Sequence, residues 1–128
     1  MLKATIANSP WAEISTVELE RGGTSYTFDT LVTLQQLYGK DVRLTLLIGE
    51  DQAELFHKWH RADEIESMVE IAVLAREGSF AGRFRVCTMK KMPLSSTHIR
   101  SQVTQGNDIS TSVCPEVLEY ITKHSLYK

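Results

Sequence analysis

Two clusters of small hydroxylated residues stand where helices are expected to begin. One is GGTSYTFDT at residues 22–30, and the other is MPLSSTHIR at residues 92–100. The first turn of a helix presents unpaired backbone N–H groups and a partial positive charge, and Ser or Thr hydroxyls add donors beside them. The two clusters therefore indicate a site for a nucleotide or for its phosphates.

Each cluster also has a simpler interpretation. In the second, Arg100 can reach an anion at the helix end, but Ser95 or Ser96 could serve only as the N-cap. In the first, we expect Ser25 or Thr27 to cap the next helix. Its aromatic residues are compatible either with stacking of Tyr26 on a ligand ring or with packing of Tyr26 and Phe28 in the core.

Acidic and aromatic residues between the clusters extend the candidate site. Asp51, in IGED, could accept hydrogen bonds from a ribose or hold Mg²⁺ through water, or it could merely cap a helix. Trp59 could stack on a flat ring or pack in the core. His57 and His60 flank it without a third ligand at zinc spacing, so no metal site is predicted. Arg76, at the end of an apolar run, is either ion-paired or an anion ligand.

The elements that must position these residues follow from the apolar pattern. Dense apolar runs predict strands buried on both faces at 42–50 and 69–76, and shorter patterns predict strands at 11–20 and 83–89. Residues 1–7 are typical of the end of a helix. Further helices are predicted at 26–38 (ended by Gly39), 51–57, 61–68, 95–106 and 115–124 (with Pro115 in the first turn).

Buried strands that alternate with helices predict an α/β fold with a mostly parallel sheet. Ligands of such sheets bind beyond the carboxyl ends of the strands, where the candidate residues fall. The sequence has no internal repeat or linker, so residues 1–128 are predicted to form a single domain.

Composition limits the function further. The 128 residues are 42% apolar and 23% charged, with a net charge of −2 and no basic run, so neither nucleic acid nor a membrane is expected as a partner. No apolar run is long enough to span a bilayer, which favours the cytoplasm, and the two cysteines are expected to be free thiols. The sequence has no P-loop and no GxGxxG motif, and it leaves the oligomeric state open, a homo-oligomer included.

Six segments, spread over nearly all of the chain, resemble one family. They are RGGTSYTFDTL, LLIGED, KWH, LAR, LSSTHIR and PEVLEYITKHSLY, and their order and spacing are similar to those of bacterial nicotinate-mononucleotide adenylyltransferases. The resemblance implies a Rossmann-like nucleotidylyltransferase fold. It also implies transfer of AMP from ATP to nicotinate mononucleotide, with Mg²⁺ assisting, to give deamido-NAD and pyrophosphate.

The resemblance assigns roles at matching positions. The backbone N–H groups of Thr27 and His60 would meet the nicotinate carboxylate, Trp59 would stack on the ring, and Arg76 would lie near this substrate. His60 stands where the family often has Tyr, a change that a backbone contact would survive. The remaining matches are Gly49 and Asp51 for the ribose and nucleotide cleft, and Ser96, Thr97 and Arg100 for the ATP phosphates.

One part of the family pattern does not match. The HxGH histidines that bind the triphosphate in the family have no counterpart, so no catalytic residue is assigned. The resemblance begins inside the family's second helix, which leaves two β-α units, roughly 60 residues, unmatched. We therefore expect a fragment that is inactive alone, aggregation-prone and left with an unpaired apolar sheet edge. The alternatives are a non-catalytic nucleotide-binding module and a sister nucleotidylyltransferase with another acceptor.

Overall fold

A computed structural model describes residues 1–39, 41–75, 82–88 and 94–128 of the chain. These residues divide into two compact units, Thr16–Lys91 and the combination of Met1–Ser15 with Met92–Lys128. The helices are α1 Leu2–Ile6, α2 Val17–Arg21, α3 Thr27–Tyr38, α4 Glu50–Leu55, α5 Ala62–Met68, α6 Ser96–Thr104 and α7 Pro115–Lys123, with a 3₁₀ turn at Phe56–Lys58. The strands are β1 Thr45–Gly49, β2 Glu70–Ala75 and β3 Arg85–Thr88.

The larger unit contains a three-stranded parallel sheet in the order β1-β2-β3. Its register places Ile48 of β1 beside Val73 of β2, and Val73 beside Val86 of β3. Helices connect β1 to β2, as parallel neighbours require. The predicted α/β class, with a parallel sheet and flanking helices, is confirmed.

One face of this sheet forms the core of the larger unit. Val73 in β2 and Ile65 in α5 are fully buried, and Phe56 of the 3₁₀ turn is 1% exposed. The rest of this buried cluster is Phe28, Leu31, Ile48, Ala53, Val69 and Ile71. Because helices α3 and α5 each contribute to it, the core fixes the segments that carry the candidate site.

Strand β1 differs in part from its prediction. Among the described residues it lies at one edge of the sheet. The prediction of burial on both faces is wrong, because Leu47 is 54% exposed while Ile48 points into the core. That prediction holds better for β2, where Ile71, Ala72 and Val73 are all buried.

The strand predicted at residues 11–20 is also wrong, because this segment contains helix α2. Its apolar alternation does not correspond to burial, since Leu19 is 82% exposed. Acidic side chains in the first turn, Glu18 and Glu20, favour the positive end of a helix. Contacts with α3 hold the helix: Thr30 Oγ1 donates to Glu18 Oε1 at 2.7 Å, and Arg21 Nη2 donates to Thr33 Oγ1 at 3.2 Å.

Helices α1, α6 and α7 build the smaller unit, and α1 packs on α7. Asn8 Nδ2 donates to Glu116 Oε1 at 3.2 Å, and the Thr104 hydroxyl donates to the carbonyl of Tyr127 at 2.8 Å. The helices predicted at 1–7, 95–106 and 115–124 are confirmed, with ends that differ from the prediction by at most two residues. Pro115 occupies the first turn of α7, where its missing N–H is harmless.

Cys87 and Cys114 are both free, as predicted. Within the described ranges, no helix has the length and apolar character needed to cross a membrane.

Candidate functional site

The clearest candidate site lies where α3 begins. A cavity of about 200 Å³, here called the ring pocket, opens between the start of α3 and the end of the 3₁₀ turn. Its lining residues are Ser25, Tyr26, Thr27, Trp59 and His60. The structure therefore brings together Thr27, Trp59 and His60, the three residues that the resemblance assigns to the nicotinate ring.

Aromatic contacts shape the ring pocket. Trp59 is half-buried and packs against the core, with its ring 5.3 Å from the ring of Phe56 at an interplanar angle of 44°. Tyr26 stacks on His60, with ring centroids 4.2 Å apart and a tilt of 31°. The core-packing alternative is thus confirmed for Phe28, which is 8% exposed, and is wrong for Tyr26, which is 42% exposed.

Helix α3 begins differently from the prediction. Tyr26 is the N-cap residue, and its extended backbone has φ −95° and ψ 137°. The prediction that Ser25 or Thr27 caps the helix is wrong, because no side-chain oxygen in the described structure accepts the cap hydrogen bond. A capping oxygen normally satisfies one of the first-turn N–H groups, and α3 has no side-chain cap to do so.

Arg61, which follows the pocket residue His60, is a feature that sequence analysis missed. Its guanidinium carbon lies 3.6 Å from the centroid of the Phe28 ring, and the guanidinium donates two hydrogen bonds to the Glu64 carboxylate. The hydrogen bond from Arg61 lowers the pKa of Glu64, and it raises the pKa of Arg61. The segment HRADE could have indicated this ion pair, because Arg61 and Glu64 are three residues apart and side chains at that spacing are neighbours on a helix.

A second group of predicted residues lies at the carboxyl end of β1. Gly49 is the N-cap of α4, and Asp51 lies in the first turn. The alternative that Asp51 caps this helix is therefore wrong. Glu50 Oε1 is buried there, with no hydrogen-bond partner in the described structure. The carboxyl end of this strand thus carries two acidic residues, one of them with an acceptor that is not satisfied.

The smaller unit carries the third group, at the start of α6. Ser95 Oγ accepts a hydrogen bond from the His98 backbone N–H at 3.1 Å, so Ser95 is the N-cap. Arg100 Nη2 donates to Thr97 Oγ1 at 3.3 Å. Ser96 and Arg100 also line a mainly apolar cavity of about 230 Å³ between α1, α6 and α7. One helix therefore holds Ser96, Thr97 and Arg100 together, with a separate residue serving as the cap.

Two other predictions concern Arg76 and metals. Arg76 lies outside the described residues. His57 lines a cavity with Phe56 and Phe84, away from the ring pocket that His60 lines, and His57 Nδ1 lies 3.1 Å from the Glu54 carbonyl oxygen. Across the described ranges no group of three His, Cys, Asp or Glu side chains could hold a metal ion.

Comparison with known proteins identifies the family. No family model matches the chain. A protein of Salinibacter ruber named "Probable nicotinate-nucleotide adenylyltransferase" is 33% identical over the whole chain, which spans 69% of that relative. The chain belongs to the nicotinate-nucleotide adenylyltransferase family. Relatives of the same name from Bordetella avium and Streptococcus pyogenes serotype M18 are 32% and 34% identical, and the chain spans 70% and 62% of their lengths.

Solved structures agree with this family. A Vibrio parahaemolyticus protein that carries the same enzyme name is 26% identical, with a TM-score of 0.69 over 98% of this chain and 66% of its own. The nicotinic acid mononucleotide adenylyltransferase of Plasmodium falciparum, complexed with APC, has a TM-score of 0.65 at 19% identity, which supports the fold alone. The nicotinate-nucleotide adenylyltransferase family and its nucleotidylyltransferase fold, both predicted from the sequence, are confirmed.

Proposed function

We propose that this chain forms the nicotinate mononucleotide-binding part of a nicotinate-nucleotide adenylyltransferase. The observation that carries the proposal is the convergence of Thr27, Trp59 and His60 on one cavity of about 200 Å³. In this pocket the Trp59 indole stacks on the nicotinate ring. The N–H groups of Thr27 and His60 donate to its carboxylate, which the positive end of α3 also favours. From the resemblance, we also propose that Arg76 lies near the same substrate.

The proposed reaction requires little covalent chemistry from the protein. An oxygen of the nicotinate mononucleotide phosphate attacks the α-phosphorus of ATP, the bond to the β-phosphate oxygen breaks, and pyrophosphate leaves. The protein contributes by positioning both substrates and by neutralising charge. We assign the binding of the ATP phosphates to Ser96, Thr97 and Arg100, because the start of a helix favours phosphate. We assign the binding of the ribose to Gly49 and Asp51, because a carboxylate accepts hydrogen bonds from hydroxyl groups.

Mg²⁺ is implied by the family chemistry, and the described residues do not form a site for it. They contain no group of three potential metal ligands. Magnesium in nucleotide enzymes is often held by one or two carboxylates together with substrate phosphates, so ATP would have to supply most of its ligands.

We further propose that the 128-residue chain alone binds nicotinate mononucleotide without turning it over. Its four histidines are His57, His60, His98 and His124, and none of them lies in an HxGH sequence. The HxGH histidines, which stabilise the transferring phosphate in the family, thus have no counterpart among these four. The absence of this motif also favours the second candidate function, a nucleotide-binding module without catalysis.

Ligand binding tests the first proposal. The chain has two tryptophans, Trp59 in the ring pocket and Trp11, which is 86% exposed. Titration with nicotinate mononucleotide is expected to quench Trp59 fluorescence, and Trp59→Ala should weaken binding, measured by calorimetry, about tenfold or more. Trp11→Ala is the matched control and should bind normally. Equal affinity of all three proteins, or equal affinity for nicotinamide mononucleotide, would contradict the proposed site.

A pyrophosphate-release assay tests the second proposal. The chain is incubated with ATP, Mg²⁺ and nicotinate mononucleotide, and no pyrophosphate above the protein-free rate is expected. Sustained release by the purified chain that depends on nicotinate mononucleotide would show that the chain is a complete catalyst. Release that depends instead on another acceptor, such as phosphopantetheine, would identify a sister enzyme.

A further inference from the structure

Arg61 connects the two segments that line the ring pocket. Its guanidinium carbon lies 3.6 Å from the Phe28 ring centroid, well within the range of a cation–π contact. Phe28 follows the pocket residue Thr27 in α3, and Arg61 follows the pocket residue His60. The contact therefore links one wall of the pocket to the other through residues immediately beside it.

The backbone of Arg61 shows that this position is constrained. Its φ of 59° and ψ of 41° lie in the left-handed region, which costs free energy for a residue other than glycine. Arg61 is also the N-cap of α5, and its carbonyl accepts hydrogen bonds from the N–H groups of Glu64 at 3.1 Å and Ile65 at 3.0 Å. The turn that carries Trp59 and His60 thus enters α5 through a strained residue that its contacts must stabilise.

A second contact runs parallel to the first. The rings of Tyr26 and His60 stack at 4.2 Å on the pocket side. On the other side the Glu64 carboxylate holds the guanidinium with two hydrogen bonds, which fixes its plane over Phe28. Tyr26 with His60 and Phe28 with Arg61 therefore form two bridges between α3 and the turn, and we call this pair of bridges the clamp.

We propose that Arg61 is a positioning residue of the ring pocket. It lies outside the set of residues that line the cavity, and it acts through the clamp by holding Trp59 and His60 at a fixed distance from the start of α3. The substrate part of this proposal rests on the proposed function. The positioning part concerns the free protein and can be tested without any ligand.

A second arginine of the same chain supplies a matched control. Arg83 also pairs with a glutamate, Glu66, at 2.6 Å, and it lies over a neighbouring ring, that of Phe84, at 5.3 Å. It lines a different cavity from the ring pocket. Both arginines have an ion pair and a ring contact. If loss of such contacts exposes Trp59 in a general way, Arg83→Gln should therefore have the same effect as Arg61→Gln.

The experiment measures the accessibility of Trp59. In a Trp11→Phe background Trp59 is the single tryptophan, and acrylamide quenching reports its exposure. Arg61→Gln should raise the quenching constant while far-UV circular dichroism stays unchanged, and Arg83→Gln should leave the constant at the parent value. Affinity for nicotinate mononucleotide, measured by calorimetry, should fall about two- to fivefold in Arg61→Gln, the range of an exposed cation–π contact.

Two further variants test the contact of Arg61 with the Phe28 ring. Arg61→Lys retains a cation over the Phe28 ring and should restore part of the protection of Trp59. Glu64→Gln leaves Arg61 in place but removes the carboxylate that orients its guanidinium. It should therefore also raise the quenching constant of Trp59, and it replaces Arg61→Gln as the test if that variant does not fold. Equal quenching constants in the parent and in the folded Arg61 or Glu64 variants would overturn the clamp.

The ligand measurement separates this proposal from the proposed function. If the parent does not bind nicotinate mononucleotide but Arg61→Gln still exposes Trp59, the proposed function fails and the positioning role stands. If the parent binds the ligand and Arg61→Gln changes neither its affinity nor the quenching constant, the positioning role fails and the proposed function stands.

Discussion

The carboxylate of Asp51 occupies the space beside Gly49 where any larger residue would place its side chain. A Cβ atom at position 49 would lie 2.7 Å from Asp51 Oδ1, closer than real Cβ contacts allow. The backbone at Gly49, with φ −77° and ψ 164°, is open to any residue. Glycine is therefore needed here for the position of the Asp51 carboxylate and not for the backbone conformation.

Gly49→Ala should consequently affect nucleotide binding more than stability. The Asp51 side chain is exposed and can rotate away from the new methyl group, so the free energy of unfolding should change by less than about 1 kcal/mol. If Asp51 contacts the ribose as proposed, Gly49→Ala and Asp51→Ala should each weaken nicotinate mononucleotide binding, and the double variant should be no worse than Asp51→Ala. Additive losses in calorimetry would show that the two residues act separately.

Ser95 and Ser96 should differ in their contributions to stability. Ser95 Oγ accepts the His98 N–H at 3.1 Å, so Ser95→Ala should lower the free energy of unfolding by about 1 kcal/mol, whereas Ser95→Asp should retain it. Ser96 is inside the helix, and Ser96→Ala should change stability by less than about 0.5 kcal/mol. Urea denaturation measures both values. A larger loss for Ser96→Ala would contradict this choice of N-cap.

Two apolar residues of the larger unit should differ strongly in how much their substitution by alanine lowers the free energy of unfolding. Ile65 is fully buried in the core, and Ile65→Ala should lower the free energy of unfolding by about 2–5 kcal/mol through lost burial and the cavity that it leaves. Leu19 in α2 is 82% exposed, and Leu19→Ala should cost less than about 0.5 kcal/mol. Thermal unfolding of both variants checks the contrast, and similar losses would argue against the packing of α5.

The pair of Arg61 and Glu64 predicts a dependence on pH. The hydrogen bond from Arg61 lowers the pKa of Glu64 below its ordinary value of 4.5, so the ionised form is favoured in the folded chain. The resulting stabilisation is present above pH 4.5 and is lost as the pH falls through the lowered pKa. A carboxyl NMR titration of Glu64 should therefore have its midpoint below 4.5 in the parent.

Arg61→Gln supplies the control for this titration, because it removes the guanidinium and leaves the carboxylate. In this variant the Glu64 midpoint should return toward 4.5. An unchanged midpoint would mean that another group lowers the pKa of Glu64. The destabilisation caused by Glu64→Gln at neutral pH should also shrink as the pH falls through the lowered pKa of Glu64, because the carboxylate then becomes protonated and loses its ion pair with Arg61.

Much of the fold could be predicted because the signals are local. Gly39 ends α3 with a φ of 88°, a conformation that glycine adopts without strain, and Pro115 starts α7. The apolar run of β2 needs burial on both faces, and a central strand provides it. The signals at Gly39 and Pro115 depend on backbone chemistry within a few residues, so tertiary contacts did not reverse them.

The errors occurred where distant contacts outweighed local pattern. The alternation at 11–20 was compatible with a strand, but side-chain hydrogen bonds that join α2 to Thr30 and Thr33 of α3 favour a helix at Val17–Arg21. Phe28 and Tyr26 looked equivalent in the sequence, although only Phe28 enters the core. Propensity and periodicity are averages over many environments, and they do not specify which neighbour a side chain meets.

The sequence by itself determined the family and the α/β class, because segments such as LLIGED and LSSTHIR keep their order and spacing along the chain. It also indicated which residues belong near a ligand. Only the tertiary structure decided that Thr27 and Trp59 share one pocket, and that Arg61 over Phe28 joins its two walls. The physical reason is that these contacts join segments far apart in the chain, which the packing of α3 and α5 on a common core brings together.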